Sequence, residues 1–179
     1  MQLDDQLEPV LKVARDNARY VDSAAEFPVA TVDALRASGL LGLTLPVDIG
    51  GLGAGPVEFS EVLSSLAGAC GSSAMIYLMH VSACMSIAGA PPPSLPDLLS
   101  ELASGRALGT LAFSEKASRS HFWAPLSRAT DEAGDVRLHA DKSWVTSAGH
   151  ADVCLVSTGS VGDPAAIDVY AVPAGSPGV

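Results

Sequence analysis

Two short stretches concentrate the residue types that bind ligands or take part in reactions. The first, Ser114 to Trp123, reads SEKASRSHFW and gathers Lys116, Arg119 and His121. The second, Asp141 to Gly149, reads DKSWVTSAG and places Trp144 between the hydroxyls of Ser143 and Thr146. Hydroxyls donate and accept hydrogen bonds, and an indole offers a broad apolar face with a single polar handle. The cations of the first stretch stand out because the chain is acidic, with 10 Lys and Arg against 20 Asp and Glu and a net charge of −10. Either stretch alone is a weak signal, since serine-rich loops are common and a lone tryptophan more often belongs to a core.

The charge balance excludes nucleic-acid binding through a broad basic surface, and it argues against an anionic membrane surface as partner. With 48% apolar and only 17% charged residues among 179, the chain has the means to bury a core. Cys70, Cys84 and Cys154 are odd in number and scattered, which points to reduced thiols in a cytoplasmic protein rather than a disulfide framework. His80, His121, His139 and His150 lack metal-ligand spacing, so no metal site is expected. IGGLGAGP offers Gly51, Gly53 and Gly55 followed by Pro56, in a helical region. A dinucleotide fingerprint needs GxGxxG between a strand and a helix, so a turn between helices is the reading here.

The N-terminal part has helical spacing. Leu7, Val10, Leu11, Ala14 and Val21 share one face between about Leu3 and Ala24. Thr31 is expected to cap a second helix that Gly39 stops. Pro56 suits the first turn of a third, lined by Phe59, Val62, Leu63 and Leu66. Leu66 to Pro91 contains no charged residue and is long enough for a membrane span. Gly71, Ser72, Ser73 and His80 interrupt it, so the expectation is a helix starting at Ser72 or Ser73 and buried on all sides, with no membrane contact. Ser94 and Asp97 resemble a capping box for a fifth helix ending near Gly105. After Gly109 the pattern shortens to strand length. TLAFS, VRLHA, DVCLVST and AIDVYAVP read as strands, and DEAGD as a hairpin turn. In VRLHA, Val136, Leu138 and Ala140 share a face. Helices followed by strands give an α+β chain with two domains, 1–109 and 110–179. The sheet so begun is incomplete, since open edges need pairing or cover.

In this order, the stretches resemble the acyl-CoA dehydrogenase family. The resemblance rests on FPVATVDALRASGLLGLTLPVDIGGLGAGP, then LASGRALGTLAFSE, then DKSWVTSAGHADVCLVST. It implies an N-terminal all-α domain followed by an incomplete antiparallel β-barrel domain that contacts FAD. By that resemblance Leu111, Phe113 and Ser114 lie on the strand facing the flavin. Ser120 falls where a serine meets the flavin pyrophosphate and the acyl-CoA. Trp144, Val145 and Thr146 fall where an aromatic ring and a hydroxyl meet the flavin ring. The implied reaction is oxidation of the CH–CH group of an acyl thioester, carried by coenzyme A or an acyl-carrier protein.

The sequence departs from the family's TEPxAGSD run, having SEKASRSH instead. Lys116 replaces Pro, Arg119 replaces Gly and His121 replaces Asp. Lys116 and Arg119 are therefore expected to form a local positive site for a phosphate-bearing group, with Arg119 and Ser120 on the substrate. In the family the catalytic carboxylate comes from a C-terminal helical domain, so no base is assigned within these residues; neither Glu115 nor Glu132 is nominated. The chain is then a fragment or half of a split enzyme, completed by a homo-oligomer or a complementary C-terminal subunit. Two alternatives are a flavin-dependent monooxygenase on the same scaffold and a non-catalytic subunit.

Overall fold

The computed structural model describes residues 3–116, 121, 123–163 and 165–179. Its contacts divide the chain into two compact units, Met1–Gly109 and Thr110–Val179.

The first unit is helical: α1 Leu3–Ala24, α2 Val29–Ser38, α3 Pro56–Ala69, α4 Gly71–Gly89 and α5 Leu98–Ala103. α1 buries the five residues its spacing singles out, Leu7, Val10, Leu11, Ala14 and Val21. All but Val21 pack with Leu35, Leu40, Leu41, Leu43, Val62, Leu66 and Tyr77 in one core. Tyr77 is fully buried, and its hydroxyl donates to the Leu40 carbonyl at 3.1 Å. A buried phenol needs such a partner.

Thr31 does not cap α2. The helix starts after Pro28, whose carbonyl takes the N–H groups of both Thr31 and Val32 at 3.1 Å. That closes the first turn and leaves the buried Thr31 hydroxyl with nothing to cap and no partner among the described residues. At the other end Gly39 does stop the helix, at φ 76°. The capping interaction expected at Ser94 and Asp97 is also absent, since Asp97 stands at the start of α5 without a side-chain cap bond. A carboxylate does cap α3, where Glu58 accepts the Gly55 N–H at 2.9 Å ahead of Pro56.

The glycine-rich loop folds onto itself. The N–H groups of Gly51, Leu52, Gly53 and Ala54 donate to the carbonyls of Pro46, Gly42, Leu45 and Leu43. A Cβ on Gly51 would lie 2.1 Å from the Leu45 carbonyl oxygen, so close backbone approach explains the glycine. Amides engaged this way do not cradle a phosphate.

α4 begins at Gly71 rather than at Ser72 or Ser73 and is not buried on all sides. It is long and apolar enough to cross a membrane, and half of it is buried inside the protein. Ala74, Tyr77, His80, Val81 and Cys84 face inward, whereas Met75 and Met85 are exposed.

The second unit is a five-stranded sheet: β1 Gly109–Ala112, β2 Arg128–Glu132, β3 Asp135–His139, β4 Val153–Gly159 and β5 Ile167–Pro173. The order is β1-β4-β2-β3, and β5 also pairs with β4. β2 and β3 form the expected hairpin. Its two-residue turn has Ala133 at φ 58° and Gly134 at φ 102°, the left-handed pair that matches strand twist. β4 and β5 are antiparallel from Val153↔Pro173 to Gly159↔Ile167. The expectation of antiparallel pairing holds there, but β2 and β4 meet in parallel at Arg128↔Gly159, so the sheet is mixed. The hairpin reverses direction once, and β4 then pairs with β2 instead of β3. β4 is largely buried, while Val136 and Ala140 are exposed and Leu138 is half-buried.

Candidate functional site

The two chemistry-bearing stretches come together in the sheet unit. Thr110 and Ala112 of β1 are buried while Leu111 and Phe113 are half-buried, following the two-residue alternation of an extended chain, and Ser114 beyond them is also half-buried. The Ser143 N–H donates to the Ser114 carbonyl at 2.9 Å. Glu115 and Lys142 then face each other in an antiparallel bridge. Further back, the Thr110 hydroxyl donates to the Thr146 carbonyl at 2.6 Å. These bonds lay residues 110–115 beside residues 142–146.

An ion pair fixes that register. Lys142 Nζ lies 2.6 Å from Glu115 Oε1, with both side chains almost fully buried. The Ser127 hydroxyl and the N–H groups of Leu126 and Ser127 also donate to the Glu115 carboxylate. Lys142 donates onward to the Ser157 carbonyl in β4 at 2.6 Å. Burial alone would raise the Glu115 pKa, but the ammonium and the hydrogen bonds together hold it below the usual carboxylate range. Glu115 is thus the single buried carboxylate among the described residues, and it is structural. Lys142 was not singled out from the sequence. The available signal was an acidic residue ending the apolar run TLAFSE, which demands a buried partner.

The segment after Ser143 is strained. Trp144 and Ser147 sit at φ 58° and 64°, a region that non-glycine residues seldom enter. The turn is held by Ala148 N–H to Val145 O at 3.2 Å and by His150 and Ala151 N–H to Ser147 O at 2.9 Å. Its product is an indole 90% exposed, flanked by half-buried Val145 and Thr146. The buried hydroxyls of Ser143 and Ser147 have no hydrogen-bond partner among the described residues. Left-handed strain and orphaned hydroxyls gather at sites whose geometry is functional.

The remaining candidates are placed apart or not described. Lys116 is exposed. Trp123, 61% exposed, stacks on His121 with ring centres 4.7 Å apart, so it lies outside the core. Arg119 and Ser120 lie outside the described residues. His80 is a core histidine: the Gly109 N–H donates to its Nδ1 at 3.0 Å, and burial pulls its pKa down to about 4. Burial pushes the neighbouring Cys84 thiol up to about 12. Cys70, Cys84 and Cys154 are all free. Among the described residues no group of three His, Cys, Asp or Glu side chains converges to hold a metal.

A helical N-terminal unit followed by part of a β-sheet is an incomplete acyl-CoA dehydrogenase fold. Residues 8–93 match the family described as acyl-CoA dehydrogenase, N-terminal domain. The chain is similar to the probable acyl-CoA dehydrogenase YngJ of Bacillus subtilis (strain 168), at 28% identity over 91% of this chain and 44% of that protein. It is similar to the amino sugar nitrososynthase DnmZ of Streptomyces peucetius, at 33% identity over 86% of this chain and 38% of that protein. An FAD complex of PigA shares the fold, with a TM-score of 0.82 at 19% identity over 98% of this chain and 48% of that one. The N-terminal region of the chain is therefore of acyl-CoA dehydrogenase type, and the similarity to members of that family extends over most of the chain. The chain spans less than half the length of each of these three proteins.

Proposed function

We propose that the chain forms part of an FAD-dependent oxidoreductase of acyl-CoA dehydrogenase type, acting on the CH–CH group of an acyl thioester. The observation that carries this is the stitching of the Ser114 segment to the Trp144–Thr146 turn in a chain similar to members of that family. The residues present fit a flavin. An indole 90% exposed on a strained turn offers a stacking face, and the orphaned hydroxyls of Ser143 and Ser147 beside it suit a polar ligand. Leu111, Phe113, Ser114, Trp144, Val145 and Thr146 would line the ring, with Ser120 at the pyrophosphate and thioester and Arg119 at the substrate phosphates. When bound, FAD supplies the two-electron acceptor for hydride from the carbon beta to the thioester carbonyl. The chain's own part is to hold the ring, exclude water from its face and donate hydrogen bonds from Ser114 and Thr146. Glu115 takes no part as base, because Lys142 neutralises it. The alpha proton goes to a carboxylate outside these 179 residues, brought by a further domain or a partner subunit in a cytoplasmic oligomer.

The test is a titration of the purified chain with FAD, followed by visible absorption and tryptophan fluorescence. Binding with quenching is expected, weakened about tenfold in Trp144→Ala. Equal affinity in the variant, or no binding to either, overturns the assignment of these residues.

The 33% identity to a nitrososynthase favours a second reading, an oxygen-using flavoenzyme on the same scaffold. The departures at Lys116, Arg119 and His121 agree with it. Rapid oxidation of the reduced holoprotein by oxygen, with substrate hydroxylated, would select this reading over the dehydrogenase.

A further inference from the structure

The buried histidine has a role beyond filling the helical core. Gly109, the first residue of β1, directs its N–H to His80 Nδ1 at 3.0 Å. An acceptor at Nδ1 requires a neutral ring with its proton on Nε2. Nε2 lies 3.4 Å from Cys84 Sγ, one turn along α4, and the backbone of Leu41 and Leu102 also hydrogen-bonds the ring. A backbone N–H buried here without an acceptor would cost the full desolvation of that group. The next residue, Thr110, donates its hydroxyl to the Thr146 carbonyl at 2.6 Å. Two consecutive residues thus carry two anchors: Gly109 is held by His80, and Thr110 holds the turn that presents Trp144.

We propose that His80 is a positioning residue that fixes the Gly109 amide at the start of β1. Its functional consequence rests on the flavin reading. An apolar side chain of similar size would fill the cavity without holding the amide, whereas asparagine would present a carbonyl oxygen near the Nδ1 position.

The test compares His80→Leu with His80→Asn in the FAD-free chain by amide hydrogen exchange. Gly109 and Thr110 should exchange about tenfold faster in the leucine variant than in the asparagine variant, which should remain close to wild type. Similar exchange in the two variants, whether slow or fast in both, overturns the proposal, because packing alone would then account for His80. Where His80→Leu fails to fold, the wild-type ring nitrogen shifts decide. Protonation at Nε2 together with a folded His80→Asn supports the anchor, and protonation at Nδ1 refutes it. FAD affinity is measured separately on the same proteins. A chain that binds no FAD refutes the flavin reading and leaves the exchange result to stand or fall independently.

Discussion

The helical unit and the sheet unit solve burial differently. In the helical unit, side chains from α1, α2, α3 and α4 share one apolar core, and its buried polar residues include Tyr77 and His80, both hydrogen-bonded. In the sheet unit the central strand β4 is buried, yet the β2–β3 hairpin is largely exposed, and order depends on the charged centre of Glu115, Lys142, Ser127 and Ser157. Apolar packing is non-directional and tolerates adjustment, whereas a buried ion pair holds one register and fails when a partner is lost. The unit that carries the candidate site is thus the one held by directional bonds.

The largest expected effect breaks the helical side of that contrast. Tyr77→Ala empties a fully buried volume and orphans the Leu40 carbonyl, which should cost about 4 kcal/mol in a denaturant titration followed by circular dichroism. A loss below about 1 kcal/mol would mean that the core relaxes around the gap.

On the sheet side, Lys142→Met leaves the Glu115 carboxylate buried without its cation. A loss of roughly 3 kcal/mol is expected, with part of it recovered when Glu115→Gln is added. Both tryptophans lie in the sheet unit, so their fluorescence follows this loss. A double variant no better than the single one would show that the remaining hydrogen bonds of Glu115, and not the pair, fix the register.

Much of the helical unit was legible. A 3.6-residue apolar period, with Gly39 and Pro56 as punctuation, marked α1, the end of α2 and the start of α3. The start of α2 was not, because Pro28 and Thr31 both signal a beginning and the Pro28 carbonyl wins by taking two amides. In the sheet unit the alternation of VRLHA marked a strand but not what covers its face, so the exposure of Val136 could not be read. Ser114 and Trp144 were nominated through family resemblance, since neither residue type is unusual for its segment. Lys142 was missed because a pair separated by 27 residues has no local signature. The left-handed backbone of Trp144 was equally hidden, being imposed by contacts on either side of an ordinary residue.

Acid separates the two units again. The His80 pKa is about 4 in the folded chain against an ordinary 6.5, so the unfolded chain binds the proton more readily. Stability from this group is complete above pH 6.5 and lost as pH falls toward 4, up to about 3 kcal/mol. Glu115 is depressed below an ordinary 4.5, so its contribution is present above pH 4.5 and lost only below it. Between pH 6.5 and 4.5 the helical circular dichroism signal should lose denaturant resistance while tryptophan fluorescence holds its own, and His80→Asn should flatten the helical curve. Coincident curves at every pH would show the two units unfolding together.

The smallest expected effect is also the most discriminating within the sheet. Val136, on β3, is 46% exposed, whereas Val153, on β4, is 2% exposed. Replacing Val by Thr keeps the shape and β-branching and adds one hydroxyl. At Val153 that hydroxyl enters a buried strand and should cost about 1–3 kcal/mol. At Val136 it meets water and should cost less than about 0.5 kcal/mol. Urea titrations of the two variants, read by fluorescence, measure the difference directly. Comparable costs would mean that β3 is covered in solution. A cost at Val136 that falls on dilution would identify the cover as a second molecule, because only an intermolecular contact is lost by mass action.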